Sequence, residues 1–205
     1  MITEKDMIPG VIKSPDEVKN CLDAARVVSN NIEIYYKSIA RPDSRGVVER
    51  YIHSLMGELS EHAIYHWFNN NNIDVRFTGD KFLIRPDPGY DLIIHANNRE
   101  LTCSVKSSLL YSRDKLSNEL KTRTIHISAE KAADINIQVF FIPENTDKFA
   151  DKLPTEKNIL IVGWFNKEQL QTRTRPKLYK MNPMHDLLTE LKPKAKTVRR
   201  TAKKK

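Results

Sequence analysis

Tyr90-Asp91-Leu92-Ile93-Ile94-His95-Ala96-Asn97-Asn98-Arg99-Glu100-Leu101-Thr102-Cys103-Ser104-Val105-Lys106 is the stretch on which the fold turns. Two runs of strand length flank Asn97-Asn98, and asparagine tolerates the positive φ that both central residues of a tight hairpin turn require. A two-residue turn fixes the register, so Ala96 faces Arg99 and Asp91 faces Ser104. Period-two alternation then puts Thr102, Ser104 and Lys106 on one face and Leu101, Cys103 and Val105 on the other. An Asp, a Ser and a Lys converge at one end of the hairpin. A lysine closing an apolar strand beside an Asp that opens a buried one needs a salt bridge, or a metal and a substrate.

Two helices precede the hairpin. Ser14-Pro15-Asp16-Glu17 is a helix start, with a Ser N-cap, Pro at the first helical position and acids in the first turn; Val18, Cys21, Leu22, Ala25 and Val28 follow at helical spacing. A second start at Ser44 leads into the stripe Val48, Ile52, Leu55, Leu59 and Ala63, which ends at Asn69 to Asn72. Short β-type runs come next, at Val75 to Phe77, Phe82 to Ile84, Asp91 to His95 and Leu101 to Lys106. Beyond a mixed region, Ile135 to Ile142 and Asn158 to Phe165 read as strands buried on both faces, and Met184 to Leu191 as a closing helix. The order predicts an α/β (α+β) domain with one central mixed sheet flanked by helices. Its organisation reads as an N-terminal helical segment (1–43), a core (44–191) and a basic tail (192–205).

The 205 residues, 40% of them hydrophobic, suffice for one good core. No apolar run is long enough for a membrane span, the first ten residues lack the pattern of a secretory signal, and two cysteines cannot make a disulfide framework. These features place the chain in a reducing cytoplasm. The net charge of +8 is local: eight of the 34 basic residues lie in Lys192 to Lys205, which contains no acid, so residues 1–191 hold 26 basic groups against 26 acidic ones. The tail reads either as a solubilising terminus or as an arm that releases counterions from nucleic acid.

The segments Pro88-Gly89-Tyr90-Asp91-Leu92-Ile93-Ile94, Thr102-Cys103-Ser104-Val105-Lys106-Ser107-Ser108 and Gly57-Glu58-Leu59-Ser60-Glu61-His62-Ala63 together resemble the PD-(D/E)XK nucleases, a superfamily of restriction endonucleases and related phage nucleases. The likeness covers about residues 45 to 165, since Ala133-Asp134-Ile135 and Ile161-Val162-Gly163-Trp164 are similar to later core strands. It implies a restriction-endonuclease-like core, in which a helix precedes a mixed sheet, one strand opens on an Asp, the next carries acid-x-Lys, and the helix often supplies a Glu. Asp91 matches the first acid and Lys106 the lysine; the second acid is replaced by Ser104. Some members with a similar Ser-x-Lys place the missing carboxylate elsewhere, and here Glu58, Glu61 and Glu119 are available. On a helical wheel Glu58 falls about 100° from the apolar stripe and Glu61 about 160°, which makes Glu58 the better inward candidate and Glu61 a solvated one.

By that resemblance the chain is expected to be a metal-dependent DNA endonuclease, with a homodimer left open. Asp91, Glu58 and the backbone carbonyl of Val105 are hard oxygen donors suited to Mg²⁺ or Mn²⁺; Lys106 orients or deprotonates the attacking water, and Ser104 hydrogen-bonds a metal-bound water. Arg173, Arg175, Lys177 and Lys180, with Arg199, Arg200, Lys203, Lys204 and Lys205 of the tail, are candidate DNA contacts, although an exposed basic segment explains the first four equally well. His62 and His66 have the spacing of a zinc pair but no cysteine nearby in sequence, and read as ordinary core or surface imidazoles. Walker loops, nucleophile elbows and dinucleotide fingerprints are absent from the sequence.

Overall fold

The structure, a computed structural model, describes residues 2–38, 45–78, 89–110, 113–125, 127, 131–142, 154–171 and 176–192. Among them, helix α1 (Pro15–Ser38) starts as its sequence dictates: the Ser14 hydroxyl accepts the Glu17 N–H at 3.2 Å. Helix α2 (Val47–Asn70) is capped by Gly46 without a side-chain bond; the proposed start at Ser44 lies outside the described residues. Strands β2 (Asp74–Phe77), β3 (Leu92–Ala96) and β4 (Arg99–Leu109) then form an antiparallel meander. The turn between β3 and β4 has φ of 53° at Asn97 and 59° at Asn98, and Ala96 pairs with Arg99 as the two-residue turn requires.

After helix α3 (Leu116–Thr122), strand β5 (Ile135–Phe141) runs parallel to β4, and β6 (Ile159–Asn166) returns antiparallel to β5. Helices α4 (Lys167–Gln171) and α5 (Met184–Leu191) follow. The sequence reading missed a two-residue strand, β1 (Ile8–Pro9), which caps the sheet on β6 and gives the six-stranded order β1-β6-β5-β4-β3-β2. Two residues carry no periodicity, so only tertiary pairing reveals them. The expected Phe82 to Ile84 strand lies outside the described residues.

The sheet has a core on each face. Leu92, Ile94, Cys103, Val105, Ile135, Ile137, Val139 and Phe141 point toward α2, which is itself covered by Cys21 and Ala25 of α1. Phe140, Val162 and Phe165 point the other way, toward Ile2, Met7, Leu116 and Leu120. The first 38 residues thus contribute both a strand and core side chains to the same unit as the rest. All seven residues of β5 are buried, its polar Asn136 and Gln138 included, in keeping with a strand covered on both faces. One detail secures the parallel pair that positions the site. Asp134 Oδ2 accepts the N–H and hydroxyl of Thr102, each at 2.8 Å, and the Asp134 N–H donates back to the Thr102 hydroxyl at 3.0 Å. Gly163 in β6 allows close approach by the chain near α5, because a Cβ there would lie 2.7 Å from the Asn182 carbonyl. Among the described residues, no helix is long and apolar enough to cross a membrane.

Candidate active site

Strand β4 is longer than its neighbour. Strand β3 pairs only with Arg99 to Cys103, while β5 pairs with Cys103 to Leu109 on the other side. One edge of β4 therefore opens at Ser104, and Asp91 stands at that notch. Its N–H donates to the Cys103 carbonyl at 2.8 Å, and its carboxylate oxygen Oδ2 accepts the Val105 N–H at 2.6 Å and the Ser104 hydroxyl at 3.4 Å. Gly89, at φ 93°, gives the chain the left-handed step it takes just before the notch. Thr78 then braces the turn, its N–H donating to the Asp91 carbonyl at 3.1 Å and its hydroxyl to the Tyr90 carbonyl at 2.9 Å. The ladder ends at Leu92–Cys103, and just beyond it the Asp91 carboxylate and the Ser104 hydroxyl, the pair expected to face each other, meet through their side chains.

A strand residue presents its N–H and C=O to the same neighbour, so the Val105 carbonyl faces the notch with the N–H that holds Asp91. Lys106 is half-buried, on the Ser104 face and beside Gln138 of β5. Among the described residues it makes no hydrogen bond or ion pair. Ser104 is fully buried, with its hydroxyl turned to Asp91. That geometry makes it a support for the carboxylate rather than a contact to water in an open cleft.

Glu58 and Glu61 are both buried, at 5% and 8% exposure, which corrects the reading of Glu61 as solvated. The wheel ranked α2 by one apolar stripe, but the helix is packed by α1 as well as by the sheet. Polar positions off the stripe, including Arg50, Ser54 and His66, are consequently buried too. At the other end Val48, a member of the stripe, is 58% exposed because the helix begins beyond the sheet. Cys103 ties Glu61 to the site electrostatically. Burial pushes its thiol well above the ordinary value, the charges of Asp91 and Glu61 push in the same direction, and Lys106 opposes them. Three candidate groups therefore act on one buried thiol.

Other candidates fall elsewhere. Glu119 is ion-paired with Arg123 one turn further along, on a helix whose Leu116 and Leu120 pack in the core away from α2, and it is not brought to Asp91. Lys177 donates to the Thr122 carbonyl at 2.6 Å, and Lys180 lies 5.7 Å from the centre of the Tyr179 ring. Arg173, Arg175, Arg199, Arg200, Lys203, Lys204 and Lys205 lie outside the described residues. Among the described residues, no group of three or more His, Cys, Asp or Glu side chains is arranged to hold a metal ion. A site made from one or two carboxylates, a carbonyl and waters contains no such group; the hard oxygen donors at the notch match the chemistry of Mg²⁺, which keeps several waters.

The two α2 histidines belong to a different arrangement, one the sequence reading did not assemble. Glu17 of α1 lies 2.6 Å from Nδ1 of His62 and 2.6 Å from Nε2 of His66. An ionised carboxylate only accepts, so both imidazoles donate, and the three side chains clasp α1 onto α2. Burial works to raise the Glu17 carboxyl, but the bonds from His62, His66 and the Lys13 N–H outweigh it and hold the group below its ordinary value of 4.5. A depressed carboxyl stabilises the fold above its unfolded pKa, and that contribution is lost as pH falls through the folded one. Between about pH 5 and 3, wild type should therefore lose more of its unfolding free energy than Glu17→Gln does. Parallel acid denaturation curves for the two proteins would remove Glu17 from the acid sensitivity.

Comparison with known proteins identifies no relative: no family model, no curated protein and no solved structure matches the chain.

Proposed function

We propose that the protein is a Mg²⁺-dependent endonuclease that hydrolyses phosphodiester bonds of DNA, with a core of the PD-(D/E)XK type. The observation that carries this reading is the notch. Asp91 stands just outside β3 where that strand leaves β4, its carboxylate held by the Val105 N–H, and Lys106 is the next residue of β4. The order of helix α2, then a strand opened by Asp91, then a strand bearing Lys106, is the one the resemblance implies.

In this reading the oxygen donors for Mg²⁺ are Asp91, the Val105 carbonyl and a helix glutamate, Glu58 or Glu61, both buried on α2. Bound there, Mg²⁺ supplies positive charge against the phosphoryl oxygens. Asp91 is preorganised for the task, because the Val105 N–H and the Ser104 hydroxyl fix its carboxylate before any ligand arrives. Lys106 has no competing partner among the described residues, so its ammonium can meet a phosphate oxygen and position the water that attacks phosphorus. Ser104 keeps a second reading in view, that of a nuclease-like protein that binds DNA or a partner through its basic tail without cutting, because a hydroxyl cannot replace a carboxylate's charge.

Supercoiled plasmid separates the two. Nicked and linear products should accumulate in Mg²⁺ or Mn²⁺, with Ca²⁺ supporting binding but little turnover and EDTA stopping the reaction. No cleavage of any DNA in either metal, with retained DNA binding, moves the assignment to the binding protein; cleavage that survives EDTA overturns the mechanism.

A further inference from the structure

Gln138 is the register partner of Lys106 in the parallel β4–β5 pair, so the two side chains rise from the same face of the sheet. A carboxamide is costly there: Gln138 is 3% exposed, in a strand whose only other polar residue is Asn136. Asn136 is fully used in structure. Its Oδ1 accepts the Ala133 N–H at 3.1 Å, and its Nδ2 donates to the carbonyls of Ala133 at 2.7 Å and Phe165 at 3.4 Å. Gln138 is used only on its nitrogen. Nε2 donates to the Val139 carbonyl at 2.9 Å and to the Ser108 hydroxyl at 3.3 Å.

A backbone carbonyl only accepts, so the nitrogen must be the atom turned toward Val139, and this settles the orientation of the amide. The oxygen, Oε1, is left over as an acceptor. Among the described residues nothing donates to it, and it is not one of the solvent-excluded polar atoms lacking a partner. On β6 the register partner of Gln138 is Gly163, where the backbone of Asn182 fills the space a side chain would take. The β5–β6 register slips between Gln138 and Val139, so the local irregularity of the sheet falls at this residue. On the β4 side stand Ser108 and Lys106.

An acceptor and a donor, both without partners among the described residues and carried on one face at paired positions, are the two ends of a water site. We propose that Gln138 is a further residue of the hydrolytic centre: its amide oxygen accepts a hydrogen bond from the attacking water, while the Lys106 ammonium holds that water against the phosphate. The role rests on the nuclease reading of Lys106. Ser108 is then a positioning residue, since its hydroxyl keeps the amide nitrogen turned away from the water.

The test combines kinetics with crystallography of the full chain. Gln138→Leu should lower kcat on plasmid DNA on the order of tenfold to a hundredfold, the scale of a misplaced reactant, and leave KM within about twofold. Ser108→Ala, which removes one of the two acceptors that orient the amide, should fall between Gln138→Leu and wild type. A high-resolution crystal structure of wild type should show an ordered water between Gln138 Oε1 and Lys106 Nζ, absent from Gln138→Leu. This readout does not depend on cleavage, so it is informative even where the nuclease reading fails. A Gln138→Leu protein as active as wild type while Lys106→Ala is dead, or a wild-type crystal with no water bridging the two side chains, overturns the inference.

Discussion

Lys106→Ala should lower metal-dependent plasmid cleavage by a factor of about 100 to 1000, because a preorganised charge at a phosphoryl centre is worth about 3 to 4 kcal/mol. Its Tm should match that of wild type. Lys106 is half-buried and makes no hydrogen bond or ion pair among the described residues, so its removal strands no partner. Asp91 is different, because its carboxylate carries a hydrogen bond of the fold. Its Oδ2 accepts the Val105 N–H at 2.6 Å, and truncation orphans that donor at a cost of about 1 to 3 kcal/mol. Asp91→Asn retains an oxygen for the N–H but carries no charge. Both Asp91 variants should therefore lose cleavage to the same extent as Lys106→Ala, while Asp91→Ala alone loses thermal stability. Wild-type rates in Lys106→Ala would end the assignment of the notch as the reactive centre. Equal Tm values for Asp91→Ala and Asp91→Asn would show that the Val105 bond is not what holds this corner.

The sequence disclosed the centre of the fold and concealed its margins for identifiable reasons. The hairpin was legible because Asn97-Asn98 fixes a two-residue turn, and a turn fixes every opposed pair up to Asp91 and Ser104. Burial of β5 and β6 was legible from runs of mostly apolar residues of strand length. Partnership across a parallel pair was not. The connection from β4 to β5 is long, and nothing in it dictates that Lys106 stands opposite Gln138 in preference to a neighbour; the register is set by Asp134 reaching Thr102. Glu61 was misjudged, and the second role of Glu17 was hidden, for the same physical reason. A wheel sorts residues against one apolar face, and α2 has two neighbours, so Glu61 is buried off the stripe while Glu17 crosses from α1 to His62 and His66. The helix-capping pattern correctly placed Glu17 at the start of α1 and gave no hint of its second role.

Ser104→Asp restores the acid that the resemblance leads one to expect, and the structure predicts that the restoration is harmful. Position 104 is fully buried, and its side chain meets Asp91 Oδ2. Its register neighbour on β5, Asn136, has its amide committed to Ala133 and Phe165 and offers the newcomer no hydrogen bond. A second carboxylate here is a buried charge facing a like charge, and an uncompensated buried charge costs about 3 to 5 kcal/mol. In EDTA the variant should therefore melt well below wild type. A cation bound at the notch relieves that repulsion, and whatever binds the native state stabilises it by mass action. Mn²⁺ should thus raise the Tm of Ser104→Asp by more than it raises that of wild type. Activity should fall even with metal present, because in the proposed site a glutamate of α2 fills that ligand's place and an extra acid disturbs the hydroxyl support of Asp91. A variant that melts with wild type in EDTA would mean that position 104 does not feel the Asp91 charge. One that cleaves faster than wild type would show that the missing acid had never been supplied by α2.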